Sequence, residues 1–144
     1  MAESNDSKLG YEKVFVSLDG SQGQEKILER AIALASTDGA ELYVGHVVTN
    51  ASDEDSQASA EKAFRASIAQ TLAKAEANPQ IKKVQVMVGA GRIRETLKDD
   101  MLDVVKPDLV VCGARGLSSI GYASMGSIST FLTRKASCDV LIVK

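Results

Sequence analysis

The chain has no tryptophan, one histidine, two cysteines and two prolines among its 144 residues. Each scarcity excludes something. Cys112 and Cys138 show neither a metal-ligand spacing nor a Cys-x-x-Cys pair. Each lies in or beside an apolar run, where a free thiol behaves as a small hydrophobe, as expected in a reducing compartment. His46 cannot build a metal site alone and, inside an apolar run, reads as a packed structural residue. No apolar run approaches the roughly 20 residues that a membrane-spanning helix needs. Segment 1–10 is polar, lacks an apolar signal-peptide core and reads as a flexible tail, so the expected compartment is the cytoplasm. An excess of charge is also lacking. Seventeen Lys and Arg face nineteen Asp and Glu, a net charge of -2, so neither nucleic acid nor a membrane surface is an expected partner.

What is present alternates between two periodicities. The length suits a single domain over 1–144. Segments 14–18, 42–48, 84–88, 109–112 and 140–143 are short and rich in β-branched residues, and they read as strands. Between them lie four stretches with apolar residues at helical spacing. The first carries Ile27, Leu28, Ala31 and Ala35 and stops at Asp38-Gly39, with Gly39 as a left-handed cap. The second runs over 59–77 through Phe64, Ile68 and Leu72, and Asn78-Pro79 ends it. The third is marked by Ile93, Leu97, Met101 and Val104; the fourth by Ile128, Phe131 and Leu132. Segment 49–59, acidic at 53–55, reads as a mobile surface loop. Strict β-α alternation implies parallel strands under right-handed crossovers. The predicted fold is an α/β/α three-layer sandwich on a five-stranded parallel sheet. The cysteines then fall at opposite edges of neighbouring strands, too far apart to bridge.

In such a sheet ligands sit beyond the carboxyl ends of the strands, where strand order reverses. If the first strand lies beside the fourth, Asp19-Gly20-Ser21 meets the loop that begins at Gly113. Glycines there let backbone amides approach a ligand. Gly126-Ser127 opens the fourth helix, whose free amides and dipole favour an anion such as phosphate. The hydroxyls of Ser127 and Ser129 are further donors, and Arg115 is a phosphate candidate from the loop. The loop is not a Walker A sequence, because Gly-Lys-[Ser/Thr] is missing, and it is not the dinucleotide fingerprint.

Gly113, two residues, Gly116, nine residues, then Gly126-Ser127 resembles the ATP-binding signature of universal stress proteins. Val-Phe-Val-Ser-Leu-Asp-Gly-Ser at 14–21, His46-Val47-Val48, the run from Asp108 to Gly116 and the run from Ala136 to Val143 are similar to that family's strands and turns. Ser17 and Asp139 stand where many members carry proline, and 121–125 replaces a more leucine-rich stretch. The resemblance implies strand order 3-2-1-4-5, an adenine nucleotide alpha hydrolase-like fold and a homodimer through the C-terminal strand. It implies ATP as ligand, with AMP or ADP as alternatives and Mg accompanying ATP. Asp19 and Val47 would then contact adenine, with Ser17 and Leu18 beside the adenosine. Gly113, Arg115, Gly116, Gly126, Ser127, Ile128 and Ser129 would line ribose and phosphates. The implied function is nucleotide-binding regulation in stress responses. The alternatives are a slow ATP hydrolase or phosphotransferase, and a partner-binding module without nucleotide.

Overall fold

The computed structural model describes residues 9–114 and 126–144; the expected tail through residue 8, and Arg115 and Gly116, lie outside them. The elements are β1 (Lys13–Ser17), α1 (Gln24–Asp38), β2 (Glu41–Val48), α2 (Glu54–Glu76) and β3 (Lys83–Ala90), then α3 over 93–105, β4 (Leu109–Gly113), α4 (Ser127–Lys135) and β5 (Asp139–Val143). All four strand pairings are parallel, and the sheet order is β3-β2-β1-β4-β5. The expected five-stranded parallel sandwich is therefore the fold observed.

The central strands bury side chains on both faces. Val14 and Val16 face one core, with Leu28 of α1 and Phe64 and Ile68 of α2. Phe15 faces the other, with Leu97 and Met101 of α3 and Leu132 of α4. Strands covered on both sides read as continuous apolar runs, and β4 is buried from Leu109 through Cys112. Gly39 closes α1 at φ 64°, in the left-handed region that glycine occupies without penalty.

Three elements differ from expectation. Helix α2 starts at Glu54, so 54–59 is not loop. The Asp53 side chain caps it by accepting the Ser56 N–H at 2.7 Å, and Glu54 and Asp55 sit in the first turn, against the positive end of the helix dipole. The acidic run is the helix start itself. Strand β3 continues through Gly89 and Ala90, so the turn is made by Gly91 alone, at φ 132°. Helix α3 is α-helical only at Ile93–Glu95 and Asp103–Val105; Thr96–Leu102 between them is a π-helix. The wider π turn rotates the following residues relative to a 3.6-residue stripe. Val104, expected on the apolar face, is consequently 66% exposed, and Val105 is buried in its place.

Both cysteines are free thiols. Cys112 pairs with Ile142 in the sheet, four positions beyond Cys138, a rise of roughly 13 Å that no disulfide spans. Burial pushes the Cys112 thiol up to about 11.

Candidate functional site

Strand β1 ends at Ser17, which pairs with Gly45. Leu18 leaves the strand while still donating its N–H to the Gly45 carbonyl at 2.9 Å. Asp19 lies two residues past the Ser17–Gly45 pair, outside β1, and Val47 two residues past it within β2. Asp19 is half-buried, and its Oδ1 accepts the Ser21 N–H at 2.9 Å. Gly20, at φ 83°, donates its N–H to the buried Gln24 side chain. Gln24 in turn donates to Ser67 of α2 at 2.9 Å. His46 reinforces the same corner. Its Nδ1 lies 2.9 Å from the Leu18 carbonyl, an acceptor, so that nitrogen carries the proton. Its ring stacks on Phe64, with centroids 4.0 Å apart. The β1 turn is thus fixed to two helices, and Gln24 and His46 are its braces. Gln24 carried no sequence signal beyond a polar residue at a helix start.

Val47 is buried on the face of the sheet that carries α3 and α4, together with Phe15 and Cys112. Gly113 ends β4 in register with Val143, so it belongs to the strand rather than to the loop. Ala114 donates its N–H to the Val143 carbonyl at 2.9 Å and accepts the Gly126 N–H at 2.6 Å. Ala114 and Gly126 are thus joined in one hydrogen-bonded neck. The Ser129 hydroxyl, 2% exposed, donates within that neck, at 3.2 Å from the Ala114 carbonyl and 3.0 Å from that of Gly126. Its proton holds the neck closed. Gly126 caps α4 at φ -68° and ψ 167°, an extended conformation open to any residue, so the glycine meets no backbone requirement there.

The first intrahelical bond of α4 runs from the Thr130 N–H to the Gly126 carbonyl. The amides of Ser127, Ile128 and Ser129 precede it and have no partner among the described residues. The first turns of α1 and α2 contain carboxylates, whereas that of α4 contains none and its cap offers no side chain. The positive end of α4 is left uncompensated by its own sequence. Ser127 is exposed and Ile128 half-buried at this end. The fold thus brings Ser17, Leu18, Asp19, Val47, Gly113, Gly126, Ser127, Ile128 and Ser129 to the carboxyl edge of the sheet. Among the described residues no group of three His, Cys, Asp or Glu is placed to hold a metal, and no helix is long and apolar enough to cross a membrane.

Comparison with known proteins matches residues 10–144 to the model of the universal stress protein family. The chain belongs to this family. A Staphylococcus saprophyticus protein carrying the universal stress protein name is 28% identical over 142 residues, covering 94% of this chain and 85% of the relative. The universal stress protein UspA from Lactobacillus plantarum has the same fold, with a TM-score of 0.80 at 20% identity over 94% of this chain and 99% of that one. A universal stress protein crystallised with cAMP superposes with a TM-score of 0.70 at 26% identity, covering 94% and 98% of the two chains. The fold shared with these universal stress proteins is the adenine nucleotide alpha hydrolase-like one.

Proposed function

We propose that this universal stress protein binds an adenine nucleotide, ATP foremost, at the carboxyl ends of β1, β2 and β4, and serves as a regulatory sensor in the stress response. The observation that carries the reading is the α4 start. Three unpartnered amides and a helix dipole converge there with no carboxylate in the first turn, an arrangement that favours phosphate. The family and the cAMP complex of a relative support adenine as the base. Asp19 retains a carboxylate oxygen with no partner among the described residues, suited to an exocyclic amine. Val47 supplies an apolar side chain near the carboxyl end of β2.

The site is equipped to bind rather than to turn over. Phosphoryl transfer relies on a phosphate-binding lysine, a base for the nucleophile and carboxylates for the metal. Among the described site residues Asp19 is the sole ionisable group. Calorimetry with ATP and a phosphate-release assay on one preparation test the reading together. Binding with release far below the roughly 1–100 s⁻¹ of kinases is the expected result. Kinase-like release assigns an enzyme instead, and absence of binding removes the nucleotide.

The same proposal includes a homodimer through β5. That strand ends the sheet, and Val140, Leu141 and Ile142 on it are only half-buried. Such an edge invites a second strand, and two-fold symmetry makes the pair antiparallel. Light scattering should return twice the chain mass; a monomer at high concentration contradicts the proposal.

A further inference from the structure

Helices α3 and α4 lie on the same face of the sheet. Along them run two adjoining hollows of about 430 Å³ each, with Lys135 in the wall of both. One is bounded by Arg94, Phe131 and Arg134 and reaches Ser127 at the α4 start; the other is bounded by Leu102, Lys106, Ala136 and Cys138. The charges are one-sided. Arg94, Lys106, Arg134 and Lys135 are exposed and have no carboxylate partner among the described residues. Lys98 and Asp103, in the same wall, neutralise each other at 2.9 Å. The chain as a whole carries a net charge of -2, so four unpaired cations on one cleft are a local concentration rather than a general property of the surface. The floor between them is apolar: Phe131 and Leu102, with Cys138 as a third member, since burial and the Asp108 and Asp139 carboxylates keep its thiol protonated.

We propose that this cleft docks an acidic segment of a partner protein, an extended peptide whose carboxylates alternate with apolar side chains. The length decides against a small anion. Arg94 stands in the first turn of α3 and Lys106 just past its end, with the π-helical Thr96–Leu102 between them. One phosphate or carboxylate cannot meet cations at both ends of that helix, whereas an extended peptide, rising about 3.3 Å per residue, can follow it. The apolar floor decides against nucleic acid, which gains most from exposed stacking rings and an unbroken basic surface. Here the ring of Phe131 is half-buried, and Asp103 interrupts the basic wall. An amphipathic acidic strand satisfies both features, its carboxylates on the rim and its apolar residues on the floor.

The test is fluorescence anisotropy with a labelled peptide of alternating glutamate and leucine. The same peptide with glutamine for glutamate, and a single-stranded oligonucleotide, are compared with it. The glutamate peptide should bind and weaken with added salt, and the glutamine peptide should bind at least tenfold less tightly. Arg134→Glu with Lys135→Glu should cost the glutamate peptide at least tenfold while leaving the circular dichroism spectrum unchanged. Charge reversal in the last turn of α4 opposes the helix dipole, so Arg134→Gln with Lys135→Gln is measured alongside and should show a smaller loss in the same direction. Equal binding of both peptides, indifference to these substitutions, or tighter binding of the oligonucleotide would overturn the proposal. Arg134 and Lys135 are not among the proposed nucleotide-site residues, but Ser127 lines the same hollow, so ATP calorimetry on both double variants, expected to match the parent, separates failure here from failure of the nucleotide reading.

Discussion

Replacing Gly126 by valine should abolish adenine-nucleotide binding and leave the fold standing. The backbone at Gly126 lies at φ -68° and ψ 167°, where a β-branched residue is at ease. Its N–H to the Ala114 carbonyl and its carbonyl to Thr130 are main-chain bonds that valine keeps. What changes is the bulk at the cap, where valine adds a branched side chain next to the Ser127, Ile128 and Ser129 amides. Exclusion of the phosphate chain removes the strongest contacts of the proposed complex, so calorimetry should show at least a hundredfold loss of affinity at an unchanged melting temperature. Ser127→Ala grades the same effect. It deletes one hydroxyl from an exposed position and should cost about 1.5–3 kcal/mol if that hydroxyl meets a charged phosphate. A Gly126→Val protein that binds ATP normally would place the phosphates elsewhere.

The largest loss of stability should follow Gly45→Val. Strand β2 passes beneath Phe15 and Met101 at this residue. A Cβ on Gly45 would meet the Phe15 ring at two carbons, Cζ and Cε1, and the Met101 sulfur at 3.0 Å. Phe15 is fully buried and Met101 is 2% exposed, so neither has free space into which to withdraw. Overpacking of a close-packed core typically costs about 1–3 kcal/mol and at times more; valine, adding three carbons, belongs at the upper end. About 3 kcal/mol corresponds to a fall of roughly 10 °C in melting temperature for a domain of this size. Gly23→Ala is the control, because a Cβ there meets nothing within 4 Å, and its melting temperature should stay within about 2 °C of the parent. A Gly45→Val protein that melts with the parent would mean that α3 can slide away from the sheet.

The same close approach shows where the sequence stops being legible. Alternation of apolar strands and helical stripes leads directly to the parallel sheet, because a sheet covered on both faces needs those two patterns and few others produce it; its strand order is legible only through the family resemblance. Gly39 announces its cap by position alone. The π-helix at Thr96–Leu102 is invisible to a count at 3.6 residues, which puts Val104 on the core face where the structure has Val105. Its neighbour Gly89, where a Cβ would strike the Thr96 methyl group, is the one sequence sign of this packing, since an isolated glycine in a strand marks a close approach. The start of α2 was hidden by composition: Ser52-Asp53-Glu54-Asp55 has the polarity of a loop, and only the geometry of the Asp53 cap makes it a helix end.

The candidate site divides in the same way. Asp19 and the Gly126-Ser127 start stood out because turn clusters and helix caps use few residue types. The neck formed by Ala114, Gly126 and Ser129 did not, because backbone carbonyls take part in it and every residue has one. Ser129 shows the consequence. Its hydroxyl counts as a phosphate donor on sequence, yet its proton is engaged with two carbonyls, leaving its amide as the group that faces the helix start.

Amide chemical shifts followed by heteronuclear NMR during an ATP titration test the central claim most directly. The proposed complex should move the resonances of Ser127, Ile128, Ser129 and Gly113 most, with Asp19 and Val47 next, and should leave α2 residues such as Ala73 in place. Saturating ATP that leaves the α4 amides unmoved, or that shifts residues remote from the carboxyl ends of β1 and β4, would contradict a nucleotide site at this edge of the sheet.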